Sequence, residues 1–359
     1  MRKPYDACIL GAGLAGMHTA LELQEAGLSV CVVDPKSIAG GASGTPVGLA
    51  NPATGRFANR SWEAEQCLTI LNSRLEQLSK STGKEFYRKS GVLRPALSIK
   101  IANRMQENVT HNDWLPGMVE WKSSSDIEKM HPGLTCVEGG VWIPVGLTVH
   151  IPEYITAMHS YLETKDVDFK TGLDYQLEET EHWKITTNKE SFTATKLIVC
   201  AGIYSKSLII TKNLPFHAVK GQTAQLRSNS TLNFDHAVSA QGYFSKINSN
   251  EFILGSTYEH NFEHEKPDQK GKQYMLKRFR NVQPDLADHS EVISQWAGVR
   301  ASTPDRKPVI GAIPGYKNAF VFAGLGSKGL LYSAYGARIL KEYLLDNAPV
   351  PEALSITRF

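Results

Sequence analysis

Gly11-Ala12-Gly13-Leu14-Ala15-Gly16 spells GxGxxG. That spacing lets backbone meet a phosphate. The first glycine permits a tight turn, the second a close approach to a pyrophosphate, and the third close packing of helix on strand, with the helix N-terminus facing the anion. Asp34 follows 18 residues after Gly16, where a ribose-binding acid belongs. The plainer reading is a glycine-rich turn with a solvent-facing Asp. Gly40-Gly41-Ala42-Ser43-Gly44-Thr45-Pro46-Val47-Gly48 follows closely. Such a loop can lay N–H groups and a Ser hydroxyl along a cofactor, or it can be a mobile surface loop. Gly324-Leu325-Gly326-Ser327-Lys328-Gly329-Leu330 would place backbone donors at a helix N-terminus. Aimed at the pyrimidine edge of a flavin, they would stabilise the negative charge that grows there on reduction. The alternative is a plain helix start with Ser327 as N-cap.

These groups need elements to hold them. Ala7–Leu10 reads as a buried strand, 17–26 as a helix with Gly27 at its C′ position, and Val30–Val33 as a second strand ending at Asp34. Residues 37–60 read as a long loop, which in a compact domain is usually functional. Helices are expected near 62–80, 98–111, 151–162, 268–281 and 330–345. Strands are expected at 167–177, 182–187, 196–202 and 320–323, and antiparallel strands over 213–262.

The 359 residues suffice for about two domains. Hydrophobic residues make 42% and charged residues 21%, which excludes a disordered or fibrous chain. The net charge of +3 does not by itself argue for nucleic acid or a membrane surface. The five cysteines, Cys8, Cys31, Cys67, Cys136 and Cys200, are scattered and form no CxxC. They read as reduced thiols of a cytoplasmic protein, with no metal site. No secretory leader is expected at the N-terminus, and no apolar run nears the ~18 residues of a membrane span.

Taken in order along the chain, GAGLAG at 11–16, Asp34, GGASG at 40–44 with Gly48, IVCAG at 198–202, VKGQ at 219–222, WAGVRASTPDRKPVIGAIP at 296–314 and GLGSKGL at 324–330 resemble the FAD-dependent D-amino-acid oxidase, glycine oxidase and sarcosine oxidase family. The resemblance covers nearly the whole chain. Within the group, the sequence is most similar to the C-terminal oxidase domain of the bifunctional tRNA wobble-uridine (methylaminomethyl-thiouridine) modification enzyme. The tail Ala348-Pro349-Val350-Pro351, ending in Thr357-Arg358-Phe359, fits that likeness. Two features depart from it: the flavin strand starts at residue 7, without a preceding methyltransferase half, and the Tyr243 strand reads YFSK where relatives tend to end in Pro.

The resemblance implies an α/β fold: a Rossmann-like FAD-binding domain (1–84, 145–212 and 292–359) with an inserted mixed or antiparallel-sheet substrate domain (85–144 and 213–291). It implies FAD held by Gly11, Gly13, Leu14, Ala15, Gly16, Asp34, Pro35, Gly41, Ala42, Ser43, Gly48, Leu173, Ala201, Gly202, Gly298, Arg300, Gly324, Gly326, Ser327, Lys328, Gly329 and Leu330. It also implies oxidation of a C–N bond next to a carboxylate, by hydride transfer to flavin N5. The imine is then hydrolysed, and O2 or an electron carrier is the acceptor, O2 giving hydrogen peroxide. A side-chain base is not required if the amine binds neutral. Arg300 stands where glycine oxidase-like relatives bind the substrate carboxylate, a task that suits a planar fork. Lys328 matches a basic position near substrate in sarcosine oxidase-like members. For Tyr243 and Tyr258 two readings stand equal: residues lining the pocket, and core tyrosines with satisfied hydroxyls.

The substrate is then a glycine-like or N-substituted glycine group. It can be free, or borne by tRNA as carboxymethylaminomethyl-uridine. The alternatives are a free D-amino-acid or glycine oxidase, and an FAD-dependent 2-hydroxy-acid dehydrogenase. Residues 265–280 carry Lys266, Lys270, Lys272, Lys277, Arg278 and Arg280 against Glu265 and Asp268. They could touch phosphate, though a solvated helix face is the plainer reading. Oligomeric state is open.

Overall fold

The computed structural model describes residues 3–136 and 138–359. The chain opens with strand β1 (Tyr5–Leu10), helix α1 (Leu14–Glu25) and strand β2 (Val30–Asp34). Ala7–Leu10 and Val30–Val33 are buried runs without alternation, because helices or loops cover both faces of a parallel sheet. β1 pairs in parallel with β2 (Ile9 against Val32) and with the strand Ser191–Val199 (Ile9 against Ile198). Asp168–Thr171 extends the sheet beyond β2. Ala319–Ala323 adds in parallel to the C-terminal half of Ser191–Val199, and Trp183–Thr187 pairs antiparallel with its N-terminal half. α1 ends with Gly27 in the left-handed region at φ +83°, as a C′ glycine does. Its apolar side chains pack against helix Gly329–Leu345 in the largest core cluster.

The second large sheet is mostly antiparallel, in the order Ser290–Ser302, His217–Ser228, Glu251–Gly255, Tyr243–Lys246, Ala237–Ser239, Val92–Pro95, Gly139–Ile143 and Glu120–Ser123. Its core joins Leu93, Leu226, Phe244, Phe252 and Phe279. The expected boundary at 292 falls inside Ser290–Ser302, which pairs along its whole length with His217–Ser228. The stretch 37–60 is not all loop: Val47–Ala50 is a strand that pairs with Leu147–His150. A short helix, Ser124–Met130, also lies where the sequence reading places none. It is closed by a capping box between Ser123 and Asp126. The five cysteines are unbridged. Among the described residues no helix is long and apolar enough to cross a membrane.

Two of the motifs hold the fold together. Arg358, in the tail, donates to the Asp305 carboxylate at 2.9 Å and to the carbonyls of Ser355, Lys307 and Pro308. The tail thus clamps the stretch that follows Arg300. Within VKGQ, Lys220 is buried and donates to Asp268 at 2.7 Å, while Gln222 donates to Glu259 and Asp268. Asp268 caps helix Gln269–Val282, accepting from the Gly271 N–H. The bond from Lys220 holds the Asp268 carboxyl well below the usual carboxylate range.

Candidate active site

A cavity of about 1410 Å³ runs between the two sheets. It exceeds the ~300–1,000 Å³ typical of small-ligand sites and has room for a dinucleotide and a substrate together. Gly11, Gly13, Leu14, Ala15, Asp34, Pro35, Gly41, Ala42, Ser43 and Gly48 line it. So do Ala201, Gly202, Gly298, Arg300, Gly324, Gly326, Ser327, Lys328, Gly329, Leu330, Tyr243 and Tyr258. Two expected cofactor residues lie outside the lining. A Cβ on Gly16 would stand 1.8 Å from the Gly11 carbonyl, so this glycine serves the packing of α1 on its own turn. Leu173 is buried, and its neighbours Asp174 and Tyr175 line the cavity instead.

The dinucleotide end is built as its residue types demand. Gly11 has φ +112°, and a Cβ there would meet the Cys200 carbonyl at 2.5 Å. Gly13 caps α1 without a side-chain bond. The Leu14 N–H donates to Ser43 Oγ at 3.0 Å, tying the GGASG loop to the start of the helix. Asp34 accepts the N–H groups of Ala12 and Lys36, each at 2.8 Å. Burial raises its carboxyl above the ordinary value, while these two bonds pull it back. A helix start capped only by a glycine, a cradle that a Cβ would fill and an acid held at the end of β2 fit the adenosine and pyrophosphate of FAD.

The other end gathers around Arg300. Its Nη1 donates to the Thr257 carbonyl at 3.1 Å and its Nη2 to Ser256 Oγ at 2.9 Å. The guanidinium stacks 4.6 Å from the centre of the Tyr258 ring. No carboxylate pairs with it among the described residues. The next residue, Ala301, accepts the Gly326 N–H at 2.7 Å, and Ser302 bridges Leu325. The strand carrying Arg300 is thereby fastened to the glycine turn carrying Lys328. Gly324 and Gly326 take the positive φ of +77° and +56° that this turn requires.

Lys328, not Ser327, stands at the N-cap of helix Gly329–Leu345, and no side chain caps it. Ser327 is therefore no cap, and the first residues of this helix, Gly329, Leu330 and Leu331, line the cavity. Lys328 donates to the Tyr332 hydroxyl at 3.2 Å. Burial, and then Arg306 and Lys307, lower its pKa. Tyr243 donates to the Val47 carbonyl at 2.8 Å, and burial pushes its phenol up to about 12.

Three features escaped the sequence reading. Gly221 lies beneath Arg300. Ser256 and Thr257 hold its fork. Arg94 lines the cavity from Val92–Pro95 although only 5% exposed. A charge inside the apolar run Val92-Leu93-Arg94-Pro95-Ala96 was the available signal for Arg94, and a glycine inside a strand was the signal for Gly221. Of the basic residues at 265–280, Lys266, Lys270 and Lys277 are exposed, Arg280 pairs with Asp288, and Arg278 donates to the Gln241 carbonyl and lines the cavity.

Comparison with known proteins agrees with this geometry. A family profile described as FAD dependent oxidoreductase matches residues 6–343. The chain is 25% identical over 393 residues to the tRNA 5-methylaminomethyl-2-thiouridine biosynthesis bifunctional protein MnmC of Leptospira interrogans, covering 98% of this chain and 59% of that one. It is 26% identical over 352 residues to the protein of the same name from Marinobacter nauticus, covering 94% and 54%. The chain thus spans less than two thirds of these relatives. Among solved structures, glycine oxidase from Geobacillus kaustophilus superposes with a TM-score of 0.90 at 21% identity, covering all of both chains. Iminodiacetate oxidase from Chelativorans sp. BNC1 superposes at 0.83 and 19%, covering 97% and 99%. With the match extending over nearly the whole chain and a cavity built for the dinucleotide, the protein belongs to the FAD-dependent oxidoreductase family and uses FAD as its cofactor.

Proposed function

We propose that the enzyme oxidises the C–N bond of an amine whose carbon bears a carboxylate, a glycine-like or N-substituted glycine group. The observation that carries this reading is Arg300: a cavity-lining guanidinium held by two neutral oxygens, with no carboxylate of its own. Such a fork retains donors for a bidentate carboxylate. FAD, when bound, supplies acceptance of the two electrons removed from the carbon. The chain's residues bind and orient the substrate. Arg300 fixes the carboxylate and so sets which hydrogen of the adjacent carbon faces the cofactor. Tyr258 covers the guanidinium, Tyr243 ties its strand to Val47, and Lys328 adds positive field beside the glycine turn. The amine binds neutral, so no side-chain base is needed. The imine product is hydrolysed by water, with O2 as proposed final acceptor.

The names of the full-length relatives add a second reading, in which the glycine-like group is the carboxymethylaminomethyl-uridine of tRNA. One observation favours it. Helix Gln269–Val282 presents exposed Lys270 and Lys277 on the same element whose Tyr274 and Arg278 line the cavity, so a basic surface leads to the pocket. Free amino acids and the tRNA-borne group would use the same Arg300. A cytoplasmic location accords with five unbridged thiols. Anaerobic mixing of the yellow holoenzyme with N-substituted glycines, D-amino acids, 2-hydroxy acids and modified tRNA tests the proposal. Bleaching by carboxylate amines supports it, and bleaching only by 2-hydroxy acids overturns it.

A further inference from the structure

We propose that Arg94 binds a second oxyanion of the substrate, remote from the reacting carbon, so that the site selects diacids over glycine itself. The proposal rests on the reading of Arg300 as anchor of the first carboxylate. Arg94 projects from Val92–Pro95 into the cavity and is 5% exposed. Its Nη1 donates to Ser239 Oγ at 3.2 Å and its Nη2 to the Gly55 carbonyl. Its Nε is buried without a partner. No carboxylate pairs with it among the described residues. Burial pulls the guanidinium down to about 10, so it remains charged at neutral pH. A buried cation held only by neutral groups, with one edge unused, is costly unless an anion arrives.

The surroundings point the same way. Arg56, Arg94, Arg278, Arg300, Arg306 and Lys328 line the cavity, against Asp34 and Asp174. A dinucleotide pyrophosphate and one substrate carboxylate leave this surplus unbalanced. Tyr258 lines the same cavity as both guanidiniums, and its ring lies against Arg300. A substrate anchored at Arg300 can therefore extend past Tyr258 to Arg94. The Nε–Nη edge of a guanidinium suits a carboxylate or a phosphate equally.

The test titrates FAD-loaded enzyme with acetate, glutarate and 3-phosphonopropionate, following perturbation of the flavin absorbance. The wild type should bind the two diacids at least about tenfold more tightly than acetate, the scale of one added charged hydrogen bond. Arg94→Gln should erase that margin and leave acetate unchanged. Arg94→Lys, which keeps the charge, should retain part of it. The order of glutarate and phosphonopropionate tells carboxylate from phosphate. Equal binding of acetate and glutarate by the wild type overturns the proposal without recourse to any variant. Equal weakening of both by Arg94→Gln also overturns it, reducing Arg94 to a tie for the Gly55 segment. Failure of the Arg300 reading looks different: acetate binding would then be unmoved by Arg300→Lys.

Discussion

The guanidinium of Arg300 lies across the α-carbon of Gly221, where an added β-carbon would stand 2.1 Å from Nη2 and 2.3 Å from Cζ. The register explains the contact. Gly221 pairs with Gly298 and Val219 with Arg300, so the Arg300 side chain folds diagonally over a glycine on the neighbouring strand. The same strand turns Lys220 and Gln222 toward Asp268. One short motif thus braces a helix and leaves a shelf for the Arg300 guanidinium.

Gly221→Ala should displace Arg300 while sparing the dinucleotide end. The expected loss is about 1.5–3 kcal/mol of binding for every carboxylate substrate, the scale of a charged hydrogen bond. The flavin content should not change. Equilibrium titration with a carboxylate inhibitor, beside the absorbance ratio at 280 and 450 nm, checks both halves.

Gly13→Val should act at the opposite end. The new side chain would crowd Ser43 Oγ, which lies 2.9 Å from the position of a Cβ, and would occupy the approach to the pyrophosphate. FAD affinity should fall by about tenfold or more, the equivalent of ~1.4 kcal/mol. Flavin released through a desalting column and quantified by fluorescence measures it.

The dinucleotide end was legible because it is local. GxGxxG, its helix and Asp34 lie within one βαβ unit, and the chemistry follows from spacing alone. Arg300 was legible as a candidate from its motif, but its support was not. Gly221, Ser256 and Thr257 come from strands brought together only by sheet register. Ser327 reads well as a cap by residue type, yet the helix starts one residue later because Gly326 is turned back onto Ala301. The boundary at 292 falls inside a 13-residue strand, whose pairing with His217–Ser228 is invisible to composition.

Acid should destabilise the fold through His18. This buried ring donates from Nδ1 to the Leu14 carbonyl at 2.9 Å, so its neutral Nε2 accepts the Tyr154 hydroxyl at 2.7 Å. Burial lowers its pKa from 6.5 to about 4. The unfolded chain therefore takes up the proton first. The contribution is present above about pH 6.5 and is lost as pH falls toward 4, up to about 3 kcal/mol. Thermal melts of wild type and His18→Gln across that window should converge at low pH.

Charge reversal of Lys266, Lys270 and Lys277, which are exposed, should weaken tRNA binding and flatten its salt dependence. Turnover of a small N-substituted glycine should hardly change. Filter binding at several salt concentrations distinguishes this from a merely solvated helix face, for which both proteins would bind tRNA alike.

The most direct measurement is stopped-flow reduction of the flavin, under anaerobic conditions, by an N-substituted glycine and by its neutral amide, in wild type and Arg300→Lys. The planar fork of Arg300 should matter only to the carboxylate. The wild type should favour the acid strongly, and Arg300→Lys should lose most of that preference by weakening the acid alone. Equal reduction by acid and amide in the wild type, or equal slowing of both by the substitution, would contradict Arg300 as the carboxylate anchor.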